Sequence, residues 1–330
     1  MGIVIDSTGW NLKGWDSHRL TSALEDLLDR LDHAFSYGRP VWTGDDLQVQ
    51  AVYEDLDLWR LRDSDSPIRI DDNIWQELAA ALGQTKRYVD EDEWPAGFDD
   101  FAISVNAEPP QENPDVAWAH HNVRNGKAVA CLGLTLKGIF STTSVKDTVS
   151  IHWVSDSQSY TSFWRDAIEI ERDCPATLER LSANAYPGLF FANGVWQGLK
   201  NLSGGYFAHS AELRRYLSVL SDDGVWAFTA PPPAMEKTEV QGTSEELPTS
   251  QLIIRRFNRL KLNVTPENPN VYQNFRCRSA REIMVLGKNL YCEWHGKLQE
   301  YQNRVHIHAP ILGTEGKLII GIIDSHLPLP

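Results

Sequence analysis

Cysteine is scarce in this chain, and long apolar runs are absent. The 330 residues include four cysteines, none of them in a C-x-x-C pair. This argues against a disulfide framework and favours a reducing compartment. No apolar run approaches the roughly 18 residues that a membrane span requires, and the start, MGIVIDSTGW, lacks the basic and apolar segments of a secretion signal. We therefore expect a cytoplasmic protein that does not enter a membrane.

Several catalytic signatures are missing as well. The chain contains no G-x-S-x-G and no H-E-x-x-H sequence, so no motif supports an α/β-hydrolase or a zincin. No glycine-rich loop ends in G-K-S or G-K-T, which argues against a phosphate-binding loop. Motif matching therefore leaves the activity open.

Acidic residues dominate the chain, but not all of it. Its 45 acidic and 31 basic residues give a net charge of −14, which argues against a general nucleic-acid binder. Residues 251–330, however, hold 11 basic and six acidic side chains, a net charge of +5, together with four of the ten histidines. The preceding 250 residues carry a net charge of −19. A basic, histidine-rich segment joined to an acidic one indicates that the two parts bind different partners.

The hydrophobic pattern predicts an α+β protein. Helical spacing occurs over residues 17–35, 72–82, 159–183 and 206–220. Segments rich in β-branched and aromatic residues predict an antiparallel meander, with a hairpin turn at Asn125-Gly126, over residues 101–105, 116–123, 127–136 and 149–154. Residues 231–250 are rich in proline, serine and glutamate, which indicates a linker. We therefore expect an acidic α+β domain over 1–230 and a small antiparallel sheet domain over 251–330.

The C-terminal domain is predicted to contain four strands, over 281–286, 290–298, 303–310 and 317–324. Side chains alternate between the two faces of a strand, and neighbours across the ladder lie about 5 Å apart. If the apolar side chains share the core, the polar ones share the opposite face. That face would carry Glu293, His295, Lys297, Arg304, His306 and His308, and His326 would follow the last strand.

These residue types suit the cleavage of an RNA phosphodiester bond. A base must take the proton of the 2′-hydroxyl group and an acid must protonate the leaving oxygen, and histidine titrates in the pH range that both steps need. Lys297 and Arg304 would bind the phosphate and stabilise the charge that develops on it. The four histidines and Glu293 are the candidate acid–base groups. This chemistry predicts neither a metal nor another cofactor.

A zinc site is the alternative chemistry for the same histidines. His295, His306 and His308 would supply three ligands and leave one coordination position open. Cys292 lies three residues before His295, and residues three apart in a strand face opposite sides, so we expect this thiol in the core. In this alternative the protein would be a zinc-dependent hydrolase.

The C-terminal segments also resemble a known family. NRVHIHAP, a short turn, KLIIGIID and SHLP together resemble the end of RelE/HigB-type toxins, which show an arginine-containing strand, a turn with glycine, a second apolar strand and then a histidine or basic residue. The preceding EWHGKL is similar to the family's strand with basic residues on its exposed face. The resemblance covers about 50 of the 330 residues.

This resemblance implies a small α+β ribonuclease that cuts mRNA, often in the ribosomal A site, without a metal. It implies phosphate contacts for Lys297 and Arg304 and an acid–base or positioning role for His326. A role in bacterial stress or antiphage defence would follow from the same resemblance.

Together, the residues and the resemblance predict a toxin-type, metal-independent endoribonuclease that is controlled by its N-terminal domain. Its partners would be RNA, including ribosome-bound mRNA, and a protein inhibitor or partner subunit. The alternative is a non-catalytic module of a larger assembly that binds RNA or protein. Turnover separates the two, because a binding module does not cleave RNA that is present in excess.

Overall fold

The chain folds into two compact units, Met1–Glu171 and Arg172–Pro330. The computed structural model describes residues 2–63, 66–90, 94–95, 98, 101–229 and 248–330. Both units combine helices with strands, so the α+β class is confirmed. The boundary between the units lies before the predicted linker, most of which falls outside the described residues. Strands from before and after that linker pair in one sheet, so both belong to the second unit. The expected domains 1–230 and 251–330 therefore differ from the observed units.

The first unit contains ten described strands and five helices. The strands are β1 (Gly2–Ile5), β2 (Val41–Thr43), β3 (Ala51–Tyr53), β4 (Leu56–Asp57), β5 (Lys86–Arg87), β6 (Ala102–Val105), β7 (Gln111–Glu112), β8 (Val129–Leu132), β9 (Gly138–Thr143) and β10 (Thr148–Val154). The helices are α1 (Ser17–Ser36), α2 (Asp46–Val49), α3 (Asp72–Gly83), α4 (Pro114–Arg124) and α5 (Ser157–Ile170).

Eight of these strands form one sheet in the order β5-β2-β1-β8-β10-β9-β6-β7. The first five strands in that order are parallel to one another. Only the edge formed by β10, β9, β6 and β7 is antiparallel, so the expected N-terminal meander is wrong for most of the sheet. Parallel strands need crossover connections, and α1 and α3 lie in two of them.

Helices α1 and α3 confirm the predictions over 17–35 and 72–82. The Asp16 side chain caps α1 by accepting a hydrogen bond from the Arg19 amide at 2.8 Å. The leucines spaced three and four residues apart then form its buried face.

Residues 116–123 form part of helix α4, where the sequence predicts a strand. Pro114 occupies the first turn, and the Asn113 side chain caps the helix by accepting a hydrogen bond from the Val116 amide at 3.0 Å. Every residue from Asp115 to Asn122 is buried, so the helix has no polar face and no amphipathic period to reveal it. Asn125 ends this helix instead of turning a hairpin.

The second unit contains five helices and seven strands among its described residues. The helices are α6 (Pro175–Ala185), α7 (Ser210–Asp223), α8 (Ser250–Arg259), α9 (Pro269–Gln273) and α10 (Phe275–Ser279). The strands are β11 (Leu189–Phe191), β12 (Val264–Pro266), β13 (Glu282–Val285), β14 (Lys288–Tyr291), β15 (Trp294–Lys297), β16 (Arg304–His308) and β17 (Leu318–Asp324).

The small C-terminal sheet is confirmed, with the order β11-β17-β16-β15-β12. Its last four strands are antiparallel, and β11 joins β17 in parallel. The predicted strand over 290–298 breaks after Tyr291, and its first part pairs with β13 in a separate hairpin. β11 and β12 therefore complete a sheet for which only β15, β16 and β17 were predicted.

No helix in the described parts of the chain combines the length and the apolar character that crossing a membrane requires. The four cysteines are free thiols, and three of them are buried.

Candidate functional site

Two rows of polar side chains cross one face of the C-terminal sheet. In the first row, β12, β15 and β16 place Thr265, His295 and His306 side by side. In the second row, Lys297 lies opposite Arg304. Side chains directly opposite each other on antiparallel strands share a face. The register therefore agrees with the sequence pattern that put these two histidines, the lysine and the arginine on one face.

The structure adds a carboxylate and a guanidinium group to this face. Glu267 directly follows β12, and its Oε1 atom lies 2.8 Å from Arg281 Nε, 3.2 Å from His295 Nδ1 and 3.5 Å from His306 Nδ1. We call these four residues the Glu267 cluster. One carboxylate oxygen thus lies close to three nitrogen atoms that come from three different segments of the chain.

The Glu267 cluster is almost closed to solvent. The exposed fraction of the side chain is 2% for His306, 3% for Arg281, 7% for Glu267 and 12% for His295. Burying an ion is costly unless it is paired, and here Arg281 and Glu267 neutralise each other. His295 is the member through which a substrate would reach the cluster.

Arg281 is held in place by the chain around it. Its Nη1 atom donates hydrogen bonds to the carbonyl groups of Cys277 at 2.9 Å and Pro328 at 3.0 Å. The guanidinium group is therefore fixed beside Glu267, and it restricts the positions that the carboxylate can take.

Several buried nitrogen atoms of the cluster have no hydrogen-bond partner among the described residues. They are Nε of Arg281, Nδ1 of His295 and both ring nitrogens of His306. Their approaches to Glu267 are within ion-pair distance but do not have hydrogen-bond geometry. Of the four ring nitrogens of the two histidines, only Nε2 of His295 has a partner among the described residues, Thr265 Oγ1 at 3.3 Å. Unpaired polar atoms inside a protein are rare and cost stability, so the His306 ring calls for an explanation.

The surroundings fix the protonation states of two members. Burial alone would raise the pKa of Glu267, but its contacts with His295 and Arg281 outweigh burial and lower this pKa to about 2. Burial lowers the pKa of His306 to about 3, and the neighbouring His295 acts in the same direction. At neutral pH Glu267 is therefore ionised and His306 is neutral.

The two side chains predicted to bind phosphate, Lys297 and Arg304, differ in whether their charged groups already have partners. Lys297 is partly exposed, and its ammonium group has no ion-pair partner among the described residues. The guanidinium group of Arg304 donates hydrogen bonds to three carbonyl groups of the preceding loop, those of Gln299 at 2.8 Å and of Gln302 and Glu300 at 3.3 Å. Lys297 is thus available to a ligand, whereas Arg304 is already engaged in shaping a loop.

Three of the predicted acid–base residues, His308, His326 and Glu293, lie outside the cluster. Nδ1 of His308 contacts the carbonyl oxygen of Ala309 at 2.7 Å, and Nδ1 of His326 contacts that of Leu327 at 2.9 Å. His326 and Glu293 are exposed to solvent. Strand alternation correctly grouped the central residues of β15 and β16. His308 is the last residue of β16, whereas Glu293 and His326 lie outside the strands.

Glu267, His295 and His306 could hold a metal ion, because their ligand atoms all lie within 4.8 Å of one another. The sequence suggested a set in which His308 was the third ligand, and the structure has Glu267 in that place. The prediction that the chemistry needs no metal stays a prediction.

Glu267 and Arg281 were missed by the sequence patterns. Glu267 follows Pro266 at the end of a three-residue strand, in a stretch rich in proline and asparagine. Arg281 lies directly before β13, in a strand pair outside the main sheet. A usable signal was the alternation of Thr265 and Glu267, which puts two polar side chains on one face of a short strand.

A cleft of about 350 Å³ lies beside β17 in the same unit. It is lined by polar side chains that include Asn193, Gln197, Lys200 and Asp324, and no member of the Glu267 cluster lines it. The cleft and the cluster are therefore separate features of this unit.

The first unit has a polar group at the carboxyl end of β1, where the strand order reverses and where open sheets commonly bind ligands. Asp115 accepts hydrogen bonds from the Ser7 amide at 3.0 Å and the Tyr88 hydroxyl at 2.8 Å, and Asp6 accepts one from Trp153 Nε1 at 2.8 Å. Burial raises the pKa of Asp115 although these hydrogen bonds act against it. Because both carboxylates have protein partners, we assign them to holding the loops at this edge.

No protein-family model matches the chain, and comparisons with curated proteins and with solved structures found no match.

Proposed function

We propose that the protein is a cytoplasmic endoribonuclease and that its C-terminal unit cleaves RNA at the Glu267 cluster. The observation that carries this proposal is the placement of His295, paired with Glu267, on the same sheet face as the unpaired Lys297. Cleavage of a phosphodiester bond needs a proton acceptor and positive charge near the phosphate, and these side chains supply both. The RelE/HigB resemblance favours the same substrate and remains a prediction.

His295 is the residue that we assign to contact with the substrate. It is the most exposed member of the cluster, and one of its ring nitrogens faces a carboxylate. A carboxylate in this position orients the ring and stabilises its protonated form. Nε2, which faces Thr265, would then accept the proton of the attacking 2′-hydroxyl group, and the protonated ring would return a proton to the leaving 5′-oxygen.

The other members would have supporting roles. His306 is too deeply buried to touch a phosphate group, so we assign it to the interior of the site. Lys297 would bind the phosphate, and Arg304 would position the loop beside it. The acid–base roles predicted for His308, His326 and Glu293 are not part of this proposal.

Regulation is the role that we propose for the acidic N-terminal unit or for a separate protein inhibitor. A ribonuclease of this type needs control, and negative charge competes with RNA for a basic surface. A function in bacterial stress or antiphage defence fits such a toxin.

A second candidate function is RNA binding without cleavage. Phe275 and Tyr272 expose 73% and 51% of their surface, and the guanidinium carbon of Arg278 lies 5.7 Å and 5.5 Å from the two ring centres. Exposed aromatic rings beside arginine are typical of surfaces on which the bases of single-stranded RNA stack.

Cleavage of a labelled single-stranded RNA by the full chain tests the proposal, with DNA of the same sequence beside it. The protein is assayed after loading with zinc and after treatment with EDTA. We expect cleavage of the RNA only, and a rate at least about 100-fold lower for His295→Ala, the usual effect of losing an acid–base group. His18→Ala changes an exposed histidine of the other unit and should cleave like the wild type.

The proposal fails if the wild-type chain leaves RNA intact in both preparations, or if His295→Ala cleaves at the wild-type rate. RNA that is bound but not cut would support the second candidate.

A further inference from the structure

We propose that Glu267, His295 and His306 bind one divalent transition-metal ion, for which zinc is the best-fitting probe. Tetrahedral zinc holds nitrogen and oxygen ligands at about 2.0–2.2 Å, which places neighbouring ligand atoms about 3.4 Å apart. Oε1 of Glu267 lies 3.2 Å from His295 Nδ1 and 3.5 Å from His306 Nδ1. These two separations are those of ligand atoms around an ion, and all three ligand atoms lie within 4.8 Å of one another.

The buried His306 ring is an independent reason for this inference. Neither of its nitrogens has a hydrogen-bond partner among the described residues, although 98% of the side chain is shielded from solvent. Buried polar atoms normally have partners, and a bound ion is one of the groups that can supply the missing one. Coordination through Nδ1 would satisfy the atom that points towards Glu267.

The ligand types indicate the class of metal. Imidazole nitrogen suits zinc, iron, copper and nickel, whereas magnesium and calcium prefer sites made of oxygen atoms. Two histidines and one carboxylate are a common set for zinc and leave one position open for water.

Arg281 has two opposite effects on this site. Its guanidinium group lies 2.8 Å from the same oxygen of Glu267 and is anchored to two backbone carbonyls. It therefore orients the Glu267 carboxylate, as groups that contact a ligand without binding the metal do in metal sites. Its positive charge also opposes a second cation. We therefore expect micromolar affinity, weaker than that of a closed structural zinc site.

Metal binding does not depend on the proposed function. The use of the ion in RNA cleavage does depend on that function. With Nδ1 of His295 bound to the ion, Nε2 carries a proton, so an ion-bound water molecule of lowered pKa would act as the base in place of His295, and the ion would polarise the phosphate. The ion would also join β15, β16 and the end of β12, and so stabilise the second unit.

Zinc titration of the full chain tests this inference, after removal of bound metal with EDTA and exchange into chelator-free buffer. We expect one equivalent to bind by competition with a chromophoric chelator, and zinc to raise the melting temperature. Cobalt should give the visible absorption of a four-coordinate site. His295→Ala removes the most exposed ligand and should weaken binding more than about 100-fold, since changing an outer group alone costs 10- to 100-fold. His18→Ala should bind like the wild type.

The inference is overturned if the stripped wild-type chain binds no zinc, or if His295→Ala, folded by circular dichroism, binds zinc as tightly as the wild type. Failures of the two proposals are distinguishable, because the titration contains no RNA. Binding of zinc without RNA cleavage removes the proposed function and leaves the metal site. Cleavage by a chain that binds no zinc removes the metal site and leaves the function.

Discussion

His306 lies against Glu267, with 3.5 Å between Nδ1 of the ring and Oε1 of the carboxylate, and the ring makes no hydrogen bond to any residue that the structure describes. The two residues come from segments on opposite sides of β15, so this pair spans the middle strand of the site. A buried, uncharged and unpaired imidazole contributes little stability by itself. A bound metal ion beside the ring would give it the partner that it lacks.

Replacement of His306 by leucine should therefore have opposite consequences in two buffers. In EDTA we expect His306→Leu to change the free energy of unfolding by less than about 1.5 kcal/mol, because an apolar side chain of similar volume replaces a ring without hydrogen bonds. With zinc present, only the wild type should gain stability. Chemical denaturation in both buffers measures the difference. Equal stabilisation of both proteins by zinc would contradict the assignment of His306 as a ligand.

Arg256 should stabilise the second unit, although it is not a member of the Glu267 cluster. Its Nη1 atom donates hydrogen bonds to the carbonyls of Trp226, Ala227 and Thr229, at 3.0, 3.1 and 2.7 Å. Arg256→Met keeps the packing volume but leaves these carbonyls unpaired, so we expect a loss of about 2–3 kcal/mol. Arg255→Met changes an exposed neighbour and should stay within about 0.5 kcal/mol. Urea denaturation measures the stability of both variants. Equal stabilities would contradict the stabilising role of the Arg256 hydrogen bonds.

Gly198 should not tolerate a side chain. A Cβ atom there would lie 1.6 Å from the carbonyl oxygen of Ile323, so Gly198→Ala must push the backbone away from β17. We expect a loss of more than about 3 kcal/mol, in the range of severe backbone strain. In Gly83→Ala the new Cβ meets no atom within 4 Å, so that variant should be neutral or slightly stabilising. Calorimetry of the two variants measures their melting temperatures and so compares their stabilities. A stable Gly198→Ala would mean that this segment does not pack on β17 as described.

His120 should make the first unit sensitive to mild acid. The ring is buried between Thr142 and Ser144, and burial lowers its pKa to about 4, with His121 acting in the same direction. Between pH 6.5 and 4 the unfolded chain binds a proton that the folded chain does not, so stability falls as the pH falls.

Melting temperatures at pH 7 and pH 5, measured in EDTA, test this dependence. His120→Gln should show a smaller drop than the wild type, while His18→Gln, which changes an exposed ring, should show the same drop. An unchanged pH dependence in His120→Gln would rule out this source of acid sensitivity.

Local sequence patterns predict much of the secondary structure of this chain, but less of the order in which its strands pair. The leucine spacing of α1 and the strand alternation of β15 and β16 could be predicted, because each has one apolar and one polar face. Helix α4 could not, because it is buried on all sides. The parallel order of the first sheet and the pairing of β11 with β17 depend on residues far apart in the sequence.

The candidate site shows the same limit. His295 and His306 could be placed on one face from their positions in two adjacent strands. Glu267 and Arg281 join them only through the tertiary fold, since one ends a very short strand and the other precedes a separate hairpin. Strand alternation identifies residues that share a face, but the distance between residues of different segments requires the structure.

The cleavage rate of Glu267→Gln tests the central claim most directly. Under single-turnover conditions with a labelled RNA, the claim predicts a rate at least about 100-fold below that of the wild type, because the amide cannot stabilise a protonated His295 or bind a metal as the carboxylate does. The circular dichroism spectrum should still be that of a folded chain. A folded Glu267→Gln protein that cleaves RNA at the wild-type rate would show that the Glu267 cluster is not the site of the reaction.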